Sequence, residues 1–217
     1  MELTKEEIHK VEAFLKQKNF DFIDLKVEIL DHILSDIENL IIKDHSFEDA
    51  FVMTKIRWEK HFRETSSFYF GIQFSESKIV VKKAIKIFKP FFFLYLTAYV
   101  LPIIITTNFS ITFSKNTIGF INTSLNVLNI LFLLYSIFIF IKVIKTKIKT
   151  TYRFILKTQY AGTIFLLISF LIGNHFNDDG SFIPFLISFQ IAGFAVTYIC
   201  SYFYKKHKEA IKKYKIL

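Results

Sequence analysis

The sequence predicts an all-α membrane protein, with an N-terminal three-helix domain followed by a four-helix transmembrane bundle. Of its 217 residues, 52% are hydrophobic and 18% aromatic, yet 22% are charged. The mean hydropathy is +0.37, a value that soluble domains with this much charge rarely reach. The charge is also segregated. Residues 1–77 carry 10 Lys/Arg and 16 Asp/Glu, whereas residues 78–217 carry 18 Lys/Arg and 3 Asp/Glu.

Four stretches without Asp, Glu, Lys or Arg predict the transmembrane helices. Each supplies the ~20 residues needed to cross the hydrocarbon core, and one charge near the centre of a span costs ~2.5–3.5 kcal/mol. A cytoplasmic domain (1–65) and a basic juxtamembrane connector (66–89) are expected before the spans, and a basic tail (205–217) after them. The predicted spans cover residues 90–107, 121–141, 158–175 and 183–204.

Lysine and arginine residues mark one side of all four predicted spans. Of the eighteen within residues 78–217, seventeen lie directly before the first span, between the second and third, or after the fourth, whereas Lys115 alone lies in the other two connections. The positive-inside rule therefore predicts a multi-pass membrane protein with both termini in the cytoplasm. Heavy use of Phe, Ile, Lys and Asn is typical of AT-rich bacterial genomes, so the bacterial cytoplasmic (inner) membrane is the expected location. Because these basic residues border apolar segments, anionic lipid head groups are their expected partner, and nucleic-acid binding is not predicted.

Capping motifs and apolar spacing predict three helices before the first span. The motifs TKEE (4–7) and SFED (46–49) place an acid three residues after a hydroxyl, the pattern that satisfies backbone N–H groups at a helix start. Apolar residues at helical spacing are expected to form the core of a small bundle. The predicted helices cover residues 5–18, 21–43 and 47–63.

The second of these helices carries an acidic stripe opposite its apolar face, formed by Asp24, Glu28, Asp31, His32 and Asp36. A solvated helix face explains these residues without further assumption. A docking surface is the alternative, since an acidic stripe with a histidine can pair with the chain's own basic loops or with a protein partner. A metal site is disfavoured, because one exposed helix lacks the second element that completes a coordination shell.

His175, Asp178 and Asp179 form a second candidate cluster, in the connection between the third and fourth spans. These side chains can coordinate a cation or carry acid–base chemistry at the membrane surface. Asn, Asp and Gly in the same segment are also typical of a tight turn between two helices. The turn is the favoured interpretation.

Polar residues are also scattered through the spans. Without an ionisable residue deep in any span, hydrogen bonds between packed helices explain them better than a solute pathway. These residues are Thr97, Thr106, Thr107, Asn108, Asn122, Asn126, Asn129 and Gln190.

Sequence motifs for cofactors and catalysis are missing from the 217 residues. There is no phosphate-binding glycine loop, no paired cysteine ligands, no GxSxG turn and no HExxH. No catalytic residue, cofactor or metal ligand is therefore predicted, and the chain is not expected to be an enzyme.

The segment EILDHILSDIE (28–38), with the helix before it and SFEDAF (46–51) after it, resembles the HAAS-type helical domains that precede transmembrane segments in bacterial membrane proteins. The similarity covers about residues 4–64 and is greatest to four-span members from Bacteroidetes. It implies a regulatory or sensor-associated module without assigned catalytic residues.

A regulatory or protein-interaction role through the acidic N-terminal domain is the function predicted from these observations. The expected partners are the lipid bilayer, a protein at the N-terminal domain, or further copies of the chain. A small transporter or channel is the first alternative, and an accessory subunit of a membrane enzyme is the second.

Overall fold

A computed structural model describes residues 3–109 and 111–214, and over these residues it confirms the predicted all-α fold. One two-stranded sheet accompanies the helices. Residues 215–217 of the predicted basic tail lie outside the described residues. The helices are α1 (Lys5–Gln17), α2 (Ile23–Ile41), α3 (Phe47–Phe62), α4 (Lys78–Asn108), α5 (Lys115–Lys145), α6 (Thr151–Gln159), a 3-10 helix (Tyr160–Thr163), α7 (Ile164–Ile172) and α8 (Pro184–Tyr214).

Four helical segments are long and apolar enough to cross a membrane, which identifies a multi-pass membrane protein. On the lysine-rich side these helices continue beyond the apolar runs, since lysine is a good helix former and no glycine interrupts those turns. The fourth segment begins at Pro184, whose missing N–H costs nothing at the first helical position. The segments are Lys78–Asn108, Lys115–Lys145, Thr151–Ile172 and Pro184–Tyr214.

Two compact units divide the chain, and neither is continuous in sequence. The N-terminal unit comprises Met1–Lys86, Ile148–Phe154 and Lys206–Leu217, and the membrane unit comprises Ile87–Lys147 and Ile155–Lys205. The N-terminal unit therefore includes the loop between the second and third spans, which lies far from the three-helix domain in sequence.

The three-helix domain forms as its capping motifs predict. Thr4 accepts a hydrogen bond from the Glu7 backbone N–H, while the Glu7 carboxylate accepts from the Thr4 N–H at 2.8 Å. Ser46 caps α3 through the Asp49 N–H. Apolar side chains from all three helices meet in the core, which includes Val11, Phe14, Leu15, Leu25, Ile29, Ile33, Ile37, Leu40, Ala50 and Phe51.

A β-hairpin that the sequence analysis did not anticipate joins α3 to α4. Strands β1 (Glu64–Ser67) and β2 (Gly71–Ser77) pair antiparallel. The turn needs a left-handed residue, which Gly71 supplies with φ +88°. The buried Phe70 ring contacts Phe154 at the start of the third span, with ring centroids 5.3 Å apart.

Within the membrane unit, glycines allow the third and fourth spans to approach closely. A Cβ added to Gly193 of α8 would lie 2.5 Å from the side chain of Leu166 on α7. A Cβ on Gly162 would lie 2.9 Å from Val196 of α8. Small residues at such crossings increase van der Waals contact, which drives helix association in lipid.

Gly193→Ala is predicted to destabilise the membrane unit by about 1–3 kcal/mol, because Leu166 and its backbone would have to move. Gly119→Ala is the matched control, since no atom lies within 4 Å of a Cβ at that position. Helix propensity makes the control neutral or stabilising by up to ~1 kcal/mol. Thermal unfolding in detergent measures both, and equal midpoints for the two variants would contradict the close crossing.

Candidate functional site: a capped helix and a buried polar cluster

The acidic stripe on α2 is partly engaged within the N-terminal unit. Asp24 accepts hydrogen bonds from Thr151, and Glu28 pairs with Lys83. Asp36 accepts from the indole N–H of Trp58 at 2.9 Å. Asp31 and His32 are exposed. The stripe is therefore divided into three residues with partners in the same unit and two that face solvent.

Asp24 caps the helix that becomes the third span. Both of its carboxylate oxygens accept from the backbone N–H of Thr151, at 3.0 and 3.1 Å. Thr151 is the first residue of α6, where backbone N–H groups lack partners and the helix dipole favours a negative charge. Thr150 satisfies a second group, because its hydroxyl oxygen accepts from the Arg153 N–H at 3.0 Å.

Backbone hydrogen bonding reinforces this contact. The Ile23 N–H donates to the Lys149 carbonyl at 3.2 Å, and Phe22 forms a parallel bridge with Lys149. The start of α2 is thus joined to the loop between the second and third spans through both backbone and side chain.

Burial and hydrogen bonding shift the pKa of Asp24 in opposite directions. Burial raises the pKa of the carboxyl group above its ordinary value of 3.8, and the hydrogen bonds from Thr151 oppose that rise. A partly buried carboxylate of this kind depends on its donors, since desolvation without compensation favours the neutral form.

The contact between Glu28 and Lys83 is weaker. The Nζ and Oε2 atoms lie 3.1 Å apart, but the two side chains are 51% and 39% exposed. Ion pairs at such sites contribute about 0–1 kcal/mol and weaken with salt. Of these two contacts, the one between Asp24 and Thr151 is therefore the stronger.

His175 lies apart from the two acids with which the sequence grouped it. Its side chain is fully buried, whereas Asp178 and Asp179 are exposed in a turn. Asp179 accepts from the Ser181 N–H and hydroxyl at 2.8 and 2.6 Å, and Gly180 has φ +83°. Within residues 3–109 and 111–214, no group of three or more His, Cys, Asp or Glu side chains is placed to hold a metal ion.

A buried polar cluster surrounds His175 in the membrane unit. The ring contacts Asn122 of α5 through Nδ1 and Ser169 of α7 through Nε2, both at 2.8 Å. Gln190 of α8 accepts from Ser169 at 2.7 Å and exchanges two amide hydrogen bonds with Asn129 of α5, at 2.7 and 2.8 Å. We refer to these five residues, Asn122, Asn129, Ser169, His175 and Gln190, as the His175 cluster.

The His175 cluster was only partly visible in the sequence. Asn122, Asn126 and Asn129 were interpreted as helix-packing residues, and their spacing of four and three places them on one face of α5. That shared face was the available signal for a common partner. Ser169 was missed, because one serine in an apolar run carries no distinguishing pattern.

The polar residues near the end of α4 behave differently. Thr106, Thr107 and Asn108 bond to backbone carbonyls one turn earlier in the same helix, at 2.7, 2.7 and 2.8 Å. These contacts satisfy the side chains locally, so they do not explain how α4 packs.

The pair Ser169 and His175, oriented by Asn122, has the hydrogen-bond order of a nucleophile, its base and an orienting group. Ser169 is 1% exposed and His175 0% exposed. A substrate carbonyl cannot reach the serine oxygen in this conformation, so the geometry favours a structural role over acyl transfer.

Comparison with known proteins adds no assignment, since no protein-family model, curated protein or solved structure matches the chain.

Replacing Thr151 tests the Asp24 cap without removing the charge. Thr151→Pro deletes the N–H while keeping a residue favoured at the first helical position. The variant is expected to lose about 1–3 kcal/mol of unfolding free energy at pH 7, because a partly buried charged acceptor loses its donor. Thr151→Val retains the N–H and removes only the hydroxyl, so it separates the backbone contribution from that of the side chain.

The loss of unfolding free energy in Thr151→Pro should increase as pH rises. The pKa of Asp24 is raised in the folded protein, and removing the donor raises it further. The difference between Thr151→Pro and wild type is therefore largest above the folded pKa and disappears below about 3.8, where the carboxyl is protonated in both states. Denaturation curves across this range measure it, and a pH-independent difference would contradict the cap.

Proposed function

We propose that the chain is a regulatory protein of the bacterial cytoplasmic membrane, with both termini in the cytoplasm, whose N-terminal domain controls the state of the membrane region. Of the eighteen Lys/Arg within residues 78–217, seventeen lie on one side of the spans and one on the other, which supports this orientation. In this orientation the acidic domain lies on the same side as the basic loops.

The Asp24–Thr151 contact is the observation that carries the proposal. Helix α6 continues into the segment Thr151–Ile172, which is the third candidate span. Any movement of α2 that withdraws Asp24 leaves the Thr151 N–H without its acceptor, and only the Thr150 hydroxyl then caps the start of that span. Loss of a cap costs about 0.5–2 kcal/mol, and 1–2 kcal/mol corresponds to a factor of about 5–30 in an equilibrium.

A partner at the exposed part of the stripe is the second element of the proposal. Asp31 and His32 lie one helical turn from Glu28, so a basic protein surface that binds them can displace the Glu28–Lys83 pair. Binding of this type is steered by charge and weakens as salt rises. Capture of a partner that survives Asp31→Lys or high salt would contradict this element.

The similarity of residues 28–38 and 46–51 to HAAS-type domains agrees with this proposal. Such domains are regulatory modules next to membrane spans. The N-terminal domain is proposed to belong to this group.

Hydrogen exchange of the full chain in lipid nanodiscs tests the coupling. Asp24→Ala is expected to increase exchange in peptides covering residues 151–158 by about 2- to 30-fold, because the start of α6 frays without its cap. Asp31→Ala removes the same charge from the same helix at an exposed position and should leave these peptides unchanged. Equal exchange in the two variants would remove the basis for coupling.

A small transporter is the second candidate, and the His175 cluster is the observation that favours it. Buried polar groups within a bundle are costly unless paired, and they often mark solute or proton pathways. A transporter must move solute across liposomes that contain the purified chain. Absence of flux, together with exchange coupling at α6, would favour the regulatory function.

A further inference from the structure

The turn of the β-hairpin consists of aromatic residues. Phe68, Tyr69 and Phe70 connect β1 to β2, and the Phe70 N–H donates to the Ser67 carbonyl at 3.0 Å. Turns that face water favour Gly, Asn, Asp, Pro and Ser, because these residues allow tight backbone angles or hydrogen-bond to the nearby backbone. No charged residue occurs within residues 65–75. The hairpin is therefore apolar at the position where a solvated turn is usually polar.

Two large apolar side chains at this end of the hairpin are exposed. Phe68 is 85% exposed and Ile72 is 86% exposed, and among the described residues no other large hydrophobic side chain reaches these values. Phe68 follows Ser67 and Ile72 follows Gly71, and Ser67 pairs with Gly71 across the strands. We refer to residues 68–72 as the hairpin tip. Exposed apolar patches of this kind mark surfaces that bind a partner or a membrane.

Phe70 indicates the depth of the hairpin tip relative to the membrane. Its ring is 4% exposed and lies 5.3 Å from the ring of Phe154, measured between centroids. Phe154 lies on α6, four residues before Thr158, where the third charge-free run begins. At about 1.5 Å per residue this separation is about 6 Å along the helix, and less along the membrane normal if the helix is tilted. Since the head-group layer is about 5–8 Å thick on each side of the hydrocarbon core, Phe70 lies at the depth of that layer.

Basic residues next to the hairpin complement an anionic lipid surface. Lys78, Lys82 and Lys86 recur every four residues at the start of α4 and are exposed, so they share one face of the helix. Lysine residues beside a membrane are attracted to anionic head groups, and their long apolar stems can lie along the interface. An apolar surface next to a basic one is typical of segments that bind at the membrane interface.

We propose that the hairpin tip inserts into the interfacial layer of the bilayer beside the start of the third span. Phe68 and Ile72 lie among the lipids, at a depth where aromatic rings are favoured, while Phe70 holds the tip against α6. Lipid already surrounds a span at this depth, whereas a second copy of the chain would have to displace it. The proposal is independent of the Asp24 cap and of the regulatory function proposed from it.

Spin-label accessibility of the full chain in nanodiscs of phosphatidylglycerol and phosphatidylcholine tests the insertion. Ile72→Cys supplies the labelling site, and the natural Cys200 is buried and should not react. Oxygen concentrates in lipid and a polar nickel chelate stays in water, so the ratio of their collision rates with the label reports depth. The ratio at position 72 is expected to exceed that of a solvated site several-fold. Ile56→Cys is the matched control, because Ile56 is an isoleucine of α3 with 72% exposure.

Two results would overturn the proposal. The first is a ratio at position 72 that equals the ratio at position 56, because the hairpin tip would then be in water. The second is a label at position 72 that neither reagent reaches, or that couples magnetically to the label of another copy. Either of these observations would show that protein, and not lipid, covers the tip.

Tryptophan fluorescence provides a second measurement that needs no label. Trp58 is the one tryptophan of the chain, so Ile72→Trp combined with Trp58→Phe places the single indole at the hairpin tip. Lipids brominated close to the head group are expected to quench its emission more strongly than lipids brominated at the end of the acyl chain. Emission that neither lipid quenches would contradict insertion. Neither measurement depends on partner binding or on the exchange behaviour of α6.

Discussion

Polar groups that are removed from water must find partners within the chain. This constraint determines where only one arrangement of the helices is favourable. An unpaired buried polar group costs more than the net gain from an ordinary hydrogen bond. Alternative arrangements of the chain are therefore most restricted at helix ends and at the few polar side chains inside the bundle. The start of α6 and the His175 cluster are the two examples in this chain.

At the start of α6 the constraint is satisfied from a distance. Thr150 caps the helix locally, but Asp24 comes from 127 residues earlier. The carboxylate of Asp24 loses contact with solvent when it makes this contact, and burial raises its pKa. A contact of this kind stabilises one arrangement of α2 and the loop, which is the property that a switch between two arrangements requires.

Inside the membrane unit the same constraint links helices that apolar packing alone would hold less specifically. Glycine at position 193 lets α7 and α8 approach, and the His175 cluster then fixes their register against α5. Hydrogen bonds between transmembrane helices contribute modestly, about 0.6–2 kcal/mol each. Their greater effect is selectivity, because a shifted helix leaves several buried amides unpaired at once.

The sequence alone determined the elements whose cause is local. Charge-free runs specify the spans because a charge in lipid is costly, and the hydroxyl–acid motifs at Thr4 and Ser46 specify helix starts because their partners lie three residues away. Tertiary structure decided the rest. The hairpin before α4, the pairing of Asp24 with Thr151 and the separation of His175 from Asp178 and Asp179 each depend on partners distant in the chain. No local pattern encodes such partners, since they are selected by which polar groups are buried together when the helices pack.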